Sequence, residues 1–65
     1  MITKEQALKL TYRQIILDTD NKRWYVTGKC KIWKRSPDKF EVPIKHGLYN
    51  YYCLNNNNAE YFRID

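Results

Sequence analysis

A small, mainly β domain with a short N-terminal helix is predicted here by three observations. The chain has 65 residues, 43% of them hydrophobic and 15% aromatic. That is enough apolar matter for one packed unit and too much for a disordered tail. Apolar and polar residues alternate over short runs, the period of a half-buried strand. Turn chemistry at Asp18-Thr19-Asp20-Asn21-Lys22, Ser36-Pro37-Asp38 and His46-Gly47 divides those runs at close intervals.

Thr3-Lys4-Glu5-Gln6 has the spacing of a capping box, so a helix is expected over 4–9. Ala7, Leu8 and Leu10 would let it plug one end of a sheet, and a helix this short needs such packing to persist. A first strand is expected over 12–18, where Ile15, Ile16 and Leu17 are bulky. The second is long, 22–35, and Gly28 inside it marks a bulge or sharp bend. Residues 39–45 alternate cleanly, with Phe40, Val42 and Ile44 inward and Glu41, Pro43 and Lys45 outward. Pro43 has no N–H to give a ladder and should lie at an edge or irregularity. Residues 48–54 form a further aromatic strand, Asn55 is placed to cap one helical turn through Asn58-Ala59, and 60–64 close the chain as a last strand. Five short antiparallel strands, tightly linked, with one helical turn before the last, outline a single strongly bent SH3-like barrel; an OB-type barrel needs longer strands and comes second. In so small a core, Trp24, Phe40, Tyr51 or Tyr52, and Phe62 are expected to carry the packing.

Charge singles out the second strand. Lys22, Arg23, Lys29, Lys31, Lys34 and Arg35 fall within 22–35 with no acid among them, so this stretch carries +6 while the whole chain carries +5, leaving −1 on the rest. A local excess of this kind says more about a partner than a high pI. In pleat order, Trp24, Val26, Cys30 and Ile32 fall on one side. Arg23, Tyr25, Thr27, Lys29, Lys31, Trp33 and Arg35 fall on the other. A one-residue slip at Gly28 would turn Trp33 inward and Lys34 outward, preserving the basic patch and removing an exposed ring.

The spacing of Gly28-Lys29-Cys30-Lys31-Ile32-Trp33-Lys34, then Pro37, Phe40, Pro43, Lys45 and Gly47-Leu48-Tyr49, resembles a group of small phage and bacterial proteins that share a stretch G-K-x-K-x-W-K-x-x-P-x-x-F-x-x-P-x-K-x-G-L-Y. Leu54-Asn55 and Asn58-Ala59-Glu60-Tyr61-Phe62 extend the likeness, which covers residues 28–62. It departs at Arg13-Gln14, where the group often has a Gly-Asp turn, and at Glu41, where a basic residue is common. The resemblance implies a compact SH3-like domain and no particular activity.

No catalytic set is evident. His46 is the sole histidine and sits in a predicted turn; Cys30 and Cys53 are expected on inner faces as reduced core thiols, away from any substrate. A zinc site from Cys30, His46 and Cys53 lacks paired-ligand spacing, and no glycine-rich phosphate loop or other cofactor motif is present. No apolar run approaches the ~20 residues of a membrane span, and the N-terminus lacks the apolar core of a secretory signal. The expectation is a cytoplasmic, non-enzymatic binding module, of phage-accessory type, that binds nucleic acid without strong sequence preference. Its expected contacts are Arg23, Tyr25, Lys29, Lys31, Trp33, Lys34, Arg35 and Lys39, which pair cations for phosphates with rings for bases. The alternative is a protein-interaction module or effector docking on a host protein, since Tyr, Trp and Arg are enriched at interfaces. An aromatic cage for a cationic side chain is a third, weaker reading. A strand face rich in Lys also has a plain structural use, blunting the sheet against aggregation.

Overall fold

The capping box closes in three dimensions. Thr3 Oγ1 accepts from Gln6 N at 3.2 Å and Gln6 Oε1 accepts from Thr3 N at 3.0 Å, which starts helix α1 over Lys4–Leu8. The computed structural model describes residues 1–65. After α1 come β1 (Ile15–Asp18), β2 (Arg23–Val26), β3 (Lys31–Trp33), β4 (Ser36–His46), β5 (Asn50–Asn55), a 3-10 turn (Ala59–Tyr61) and β6 (Phe62–Ile64). The strands form one antiparallel six-stranded sheet with the path β3-β4-β2-β1-β6, and β5 joins β4.

The long β4 organises this sheet because both its edges are paired. Glu41 meets Lys31 of β3 and Asn55 of β5; Ile44 meets Val26 of β2 and Tyr52 of β5. β2 and β3 therefore follow one another along a single edge of β4, and β5 takes the other. The expected long basic strand is thus divided in two, so that the sheet has six strands where five were anticipated. The break falls at Gly28, for a reason that lies opposite. Thr27 N donates to Pro43 O at 2.9 Å, and Pro43 has no N–H to return. The ladder stops there, and a Cβ on Gly28 would lie 2.9 Å from Pro43 Cγ, so only glycine passes over the proline ring unhindered.

The core is more aliphatic than expected. Its eleven buried hydrophobic residues include Ile2, Ala7, Leu10, Ile16, Val26, Val42, Ile44 and Leu54, with Phe40 and Phe62 as the only aromatics. Trp24 is half-buried against this cluster. Tyr51, opposite Lys45 on the outer face, is 67% exposed, and Tyr52 is 53% exposed at the rim of the core, where water can partner its phenol O–H. Cys53 is corrected too: it pairs with Pro43 on the outer face and is exposed, while Tyr52 and Leu54 point inward. The sheet stays open between β5 and β6. Trp24 stands in that seam, its ring 6.0 Å from Tyr52 of β5, 5.9 Å from Phe62 of β6 and 5.5 Å from His46. At the other end α1 lies against β4, and Ile2 N donates to Ala59 O at 3.0 Å.

Polar side chains finish what the ladders leave. The turn expected at Ser36-Pro37-Asp38 lies earlier, at Lys34-Arg35, and 37–39 bulge out of β4 between the pairs Ile32–Phe40 and Trp33–Ser36. Two of the carbonyls freed there find side-chain donors: Lys4 Nζ donates to Pro37 O, and Asn56 Nδ2 to Asp38 O at 3.0 Å. Asn56 Oδ1 also accepts from Phe40 N at 2.8 Å, so one amide continues the ladder past the end of β5. Buried Asn58 accepts from Asn55 N and donates to Cys53 O, both at 2.9 Å. The helical turn follows this knot, Asn55 instead accepting from Asn57 N at 2.9 Å. Before β1, Arg13 takes φ 71 and its N–H donates to Val26 O at 2.8 Å; that left-handed geometry is one glycine would hold with less strain.

Asp18 works as the expected turn residue. One oxygen accepts from Asp20 N and Lys22 N, the other from Trp24 Nε1 at 2.9 Å. Chiefly that indole bond, helped by the backbone donors and against some burial, holds the carboxyl below its ordinary value. A depressed folded pKa stabilises the fold above the unfolded value and loses that contribution as pH falls through the folded value. Urea midpoints should therefore fall on acidification below about pH 4, and Asp18→Asn should flatten that fall. Asn56→Ala strips two backbone groups of their partner and should lower stability by about 1–3 kcal/mol, read as a drop in urea midpoint at unchanged slope.

Candidate functional site

All but one of the cations predicted for binding divide between two ends of one face, and Lys29 is the exception. Opposed residues in an antiparallel pair share a face, so Tyr25, opposite Lys45, and Lys31, opposite Glu41, both point outward with Lys45 and Glu41. The step from β2 to β3 moves the register against β4 by two residues, from Val26–Ile44 to Lys31–Glu41. An even insertion preserves the pleat, whereas a one-residue slip would have reversed it. Arg23 joins the same face through the alternation of β2 and is exposed. Its carbonyl sits 2.9 Å from His46 Nδ1, whose N–H donates to it. That places His46 on the strand end beside Trp24, a structural position where an exposed turn residue was expected.

Trp33 is 53% exposed and Tyr25 38% exposed, so neither ring is packed away. They do not act together, however. Tyr25 is opposite Lys45 and Ile32 is opposite Phe40, which sets the backbones that carry the two rings roughly 17 Å apart along β4 at about 3.3 Å per residue. Trp33 and Lys39 share a shallow groove with Glu41, Asn55 and Asn57. Lys34 and Arg35 are exposed at the tip of the β3–β4 hairpin. Lys29 belongs elsewhere: it lies in the link between β2 and β3 and lines a cleft with Leu8, Leu10, Tyr12 and Cys30. Burial pushes the Cys30 thiol above its ordinary value, the Lys4 charge offsetting part of this, so it is a poor nucleophile at neutral pH. No three of His, Cys, Asp and Glu come together in metal-binding geometry; Cys53 and His46 face opposite sides of the sheet.

A concavity that the charge pattern did not reveal lies at the Tyr25 end. Tyr25, Lys45 and Tyr51 form a row across β2, β4 and β5. Tyr12, Arg13 and Thr27 complete a cleft of about 620 Å³ over that row. The Arg13 guanidinium stands 5.7 Å from the centre of the Tyr12 ring, a cation–π contact. Only Tyr25 of this group was anticipated. Alternation does turn Lys45 and Tyr51 outward, but which strand neighbours which is not written in either run.

No protein-family model, no curated protein and no solved structure matches this chain.

The two indoles report on different sides of the sheet, Trp24 half-buried and hydrogen-bonded and Trp33 exposed. Acrylamide quenching of intrinsic fluorescence should resolve an accessible and a protected component, with Trp33→Phe removing the accessible one and Trp24→Phe the protected one.

Proposed function

We propose that this chain is a small basic binding module, a cytoplasmic accessory protein of the phage type its Gly28–Tyr49 spacing resembles, which binds nucleic acid without strong sequence preference. We read its architecture as an SH3-like barrel left unsealed between β5 and β6. One observation carries the functional reading: the even register step at Gly28 keeps Arg23, Tyr25 and Lys31 on a single face with Lys45. Lys34, Arg35 and Lys39 extend the positive field from the hairpin end. Phosphates attract such a surface through released counterions, which needs no base contacts and accounts for tolerance of sequence.

If Arg23, Lys31, Lys34 and Arg35 each meet a phosphate, log affinity falls against log salt with a slope of about −2.8 to −3.6, or roughly 50- to 150-fold between 50 and 200 mM. Lys31→Ala should reduce the slope by about 0.7–0.9. Fluorescence anisotropy with labelled oligonucleotides measures both, and absence of binding at low salt overturns the proposal.

A second reading rests on a different surface. Leu48 is 75% exposed and Tyr49 86% exposed at the β4–β5 turn, beside the unpaired edge of β5. A protein-interaction module or effector docking on a host protein would use these residues, and its complex would survive nuclease treatment where a nucleic-acid bridge would not.

A further inference from the structure

The cleft at the Tyr25 end has a chemistry of its own. Three phenol rings and two cations line it, and no acid does. The absence of a carboxylate, with Arg13 and Lys45 inside, sets it against a cationic ligand and in favour of an anionic one. The rings ask for a flat π surface; Tyr12 and Tyr51 are each 67% exposed and unclaimed by the core. Direct neighbours across antiparallel strands have Cβ atoms about 4.5–5.5 Å apart, so Tyr25 and Tyr51 flank Lys45 within the span of one or two bases. The opposing wall is held in place: Arg13 N donates to Val26 O at 2.8 Å, Val26 N to Gln14 O at 2.9 Å, and Thr11 N to Gln14 Oε1 at 3.0 Å. Arg13 is kept there at φ 71, an uncommon conformation for a residue with a side chain and one that tends to mark working sites. A volume of about 620 Å³ lies within the range of small-ligand sites.

We propose that this cleft takes one or two unpaired bases of a single strand, stacked on Tyr25 and Tyr51, with the adjoining phosphates on Lys45 and Arg13. The proposal rests on the nucleic-acid reading above and adds a preference to it. A duplex keeps its bases stacked inside, so it can meet the cations but cannot offer a free base face to the rings.

The test compares a labelled twelve-nucleotide oligothymidine, a twelve-base-pair duplex and thymidine monophosphate, against the native chain and the variants Tyr51→Ala, Tyr51→Phe, Tyr25→Ala and Lys31→Ala, each checked for an unchanged melting profile. Stacking lost to alanine should weaken single-strand binding about tenfold or more, leave duplex binding unchanged, and be restored by Tyr51→Phe. Lys31→Ala should weaken single and double strands alike. Equal weakening of both by Tyr51→Ala and Tyr25→Ala, or a Tyr51→Phe loss as large as that of alanine, overturns the stacking site while the general affinity stands. Thymidine monophosphate binding as tightly as the oligonucleotide overturns the strand assignment in favour of a free-nucleotide pocket. If neither oligonucleotide binds at low salt, the broader reading fails with it.

Discussion

The double pairing of β4 is the constraint from which the rest follows. Hydrogen-bonded along both edges, the strand lies at the centre of the sheet and buries its inner face, Val42 and Ile44 at 0% exposure and Phe40 at 3%. Each such side chain contributes about 1.5–3 kcal/mol by leaving water, and together they fix the register of three neighbours at once. A one-residue shift of β4 would put Glu41 and Lys45 in the core, so few alternatives compete.

Pro43 makes that strand unusual. A proline within a doubly paired strand removes one donor, and the chain meets the defect on the opposite side, by breaking the basic strand at Gly28 and resuming two residues out of step. Because the step is even, the outer face keeps its sign. The same break bends the sheet, carrying Lys29 toward α1 and parting the ring of Tyr25 from that of Trp33. The face so produced has a tyrosine-lined concavity at one end and a cationic hairpin at the other, with the outward carboxylate of Glu41 between them.

Local grammar was legible and neighbour relations were not. The capping box of Thr3 and Gln6, the Asp18 turn and the alternation of 39–45 follow from short-range physics and take their expected form, whereas Gly28, expected to bend one long strand, divides it in two. The misplacements have a common cause. Cys53 and Tyr51 look like core residues in a run of aromatics, and only their opposition to Pro43 and Lys45 turns them out. Ser36-Pro37-Asp38 has turn composition, yet Asn56, eighteen residues from Asp38, holds it as bulged strand. Tyr12 and Arg13 enter the cleft only because the backbone of Arg13 is tied to Val26.

The side chain of Asn56 has a consequence beyond local satisfaction. By occupying Phe40 N and Asp38 O on the flank that β5 no longer covers, it takes up two of the groups that this end of β4 would offer an incoming backbone. Exposed edges are where sheets recruit other chains, so a single asparagine blunts the flank of the longest strand beyond β5, while β3, β5 and β6 each keep one margin unpaired.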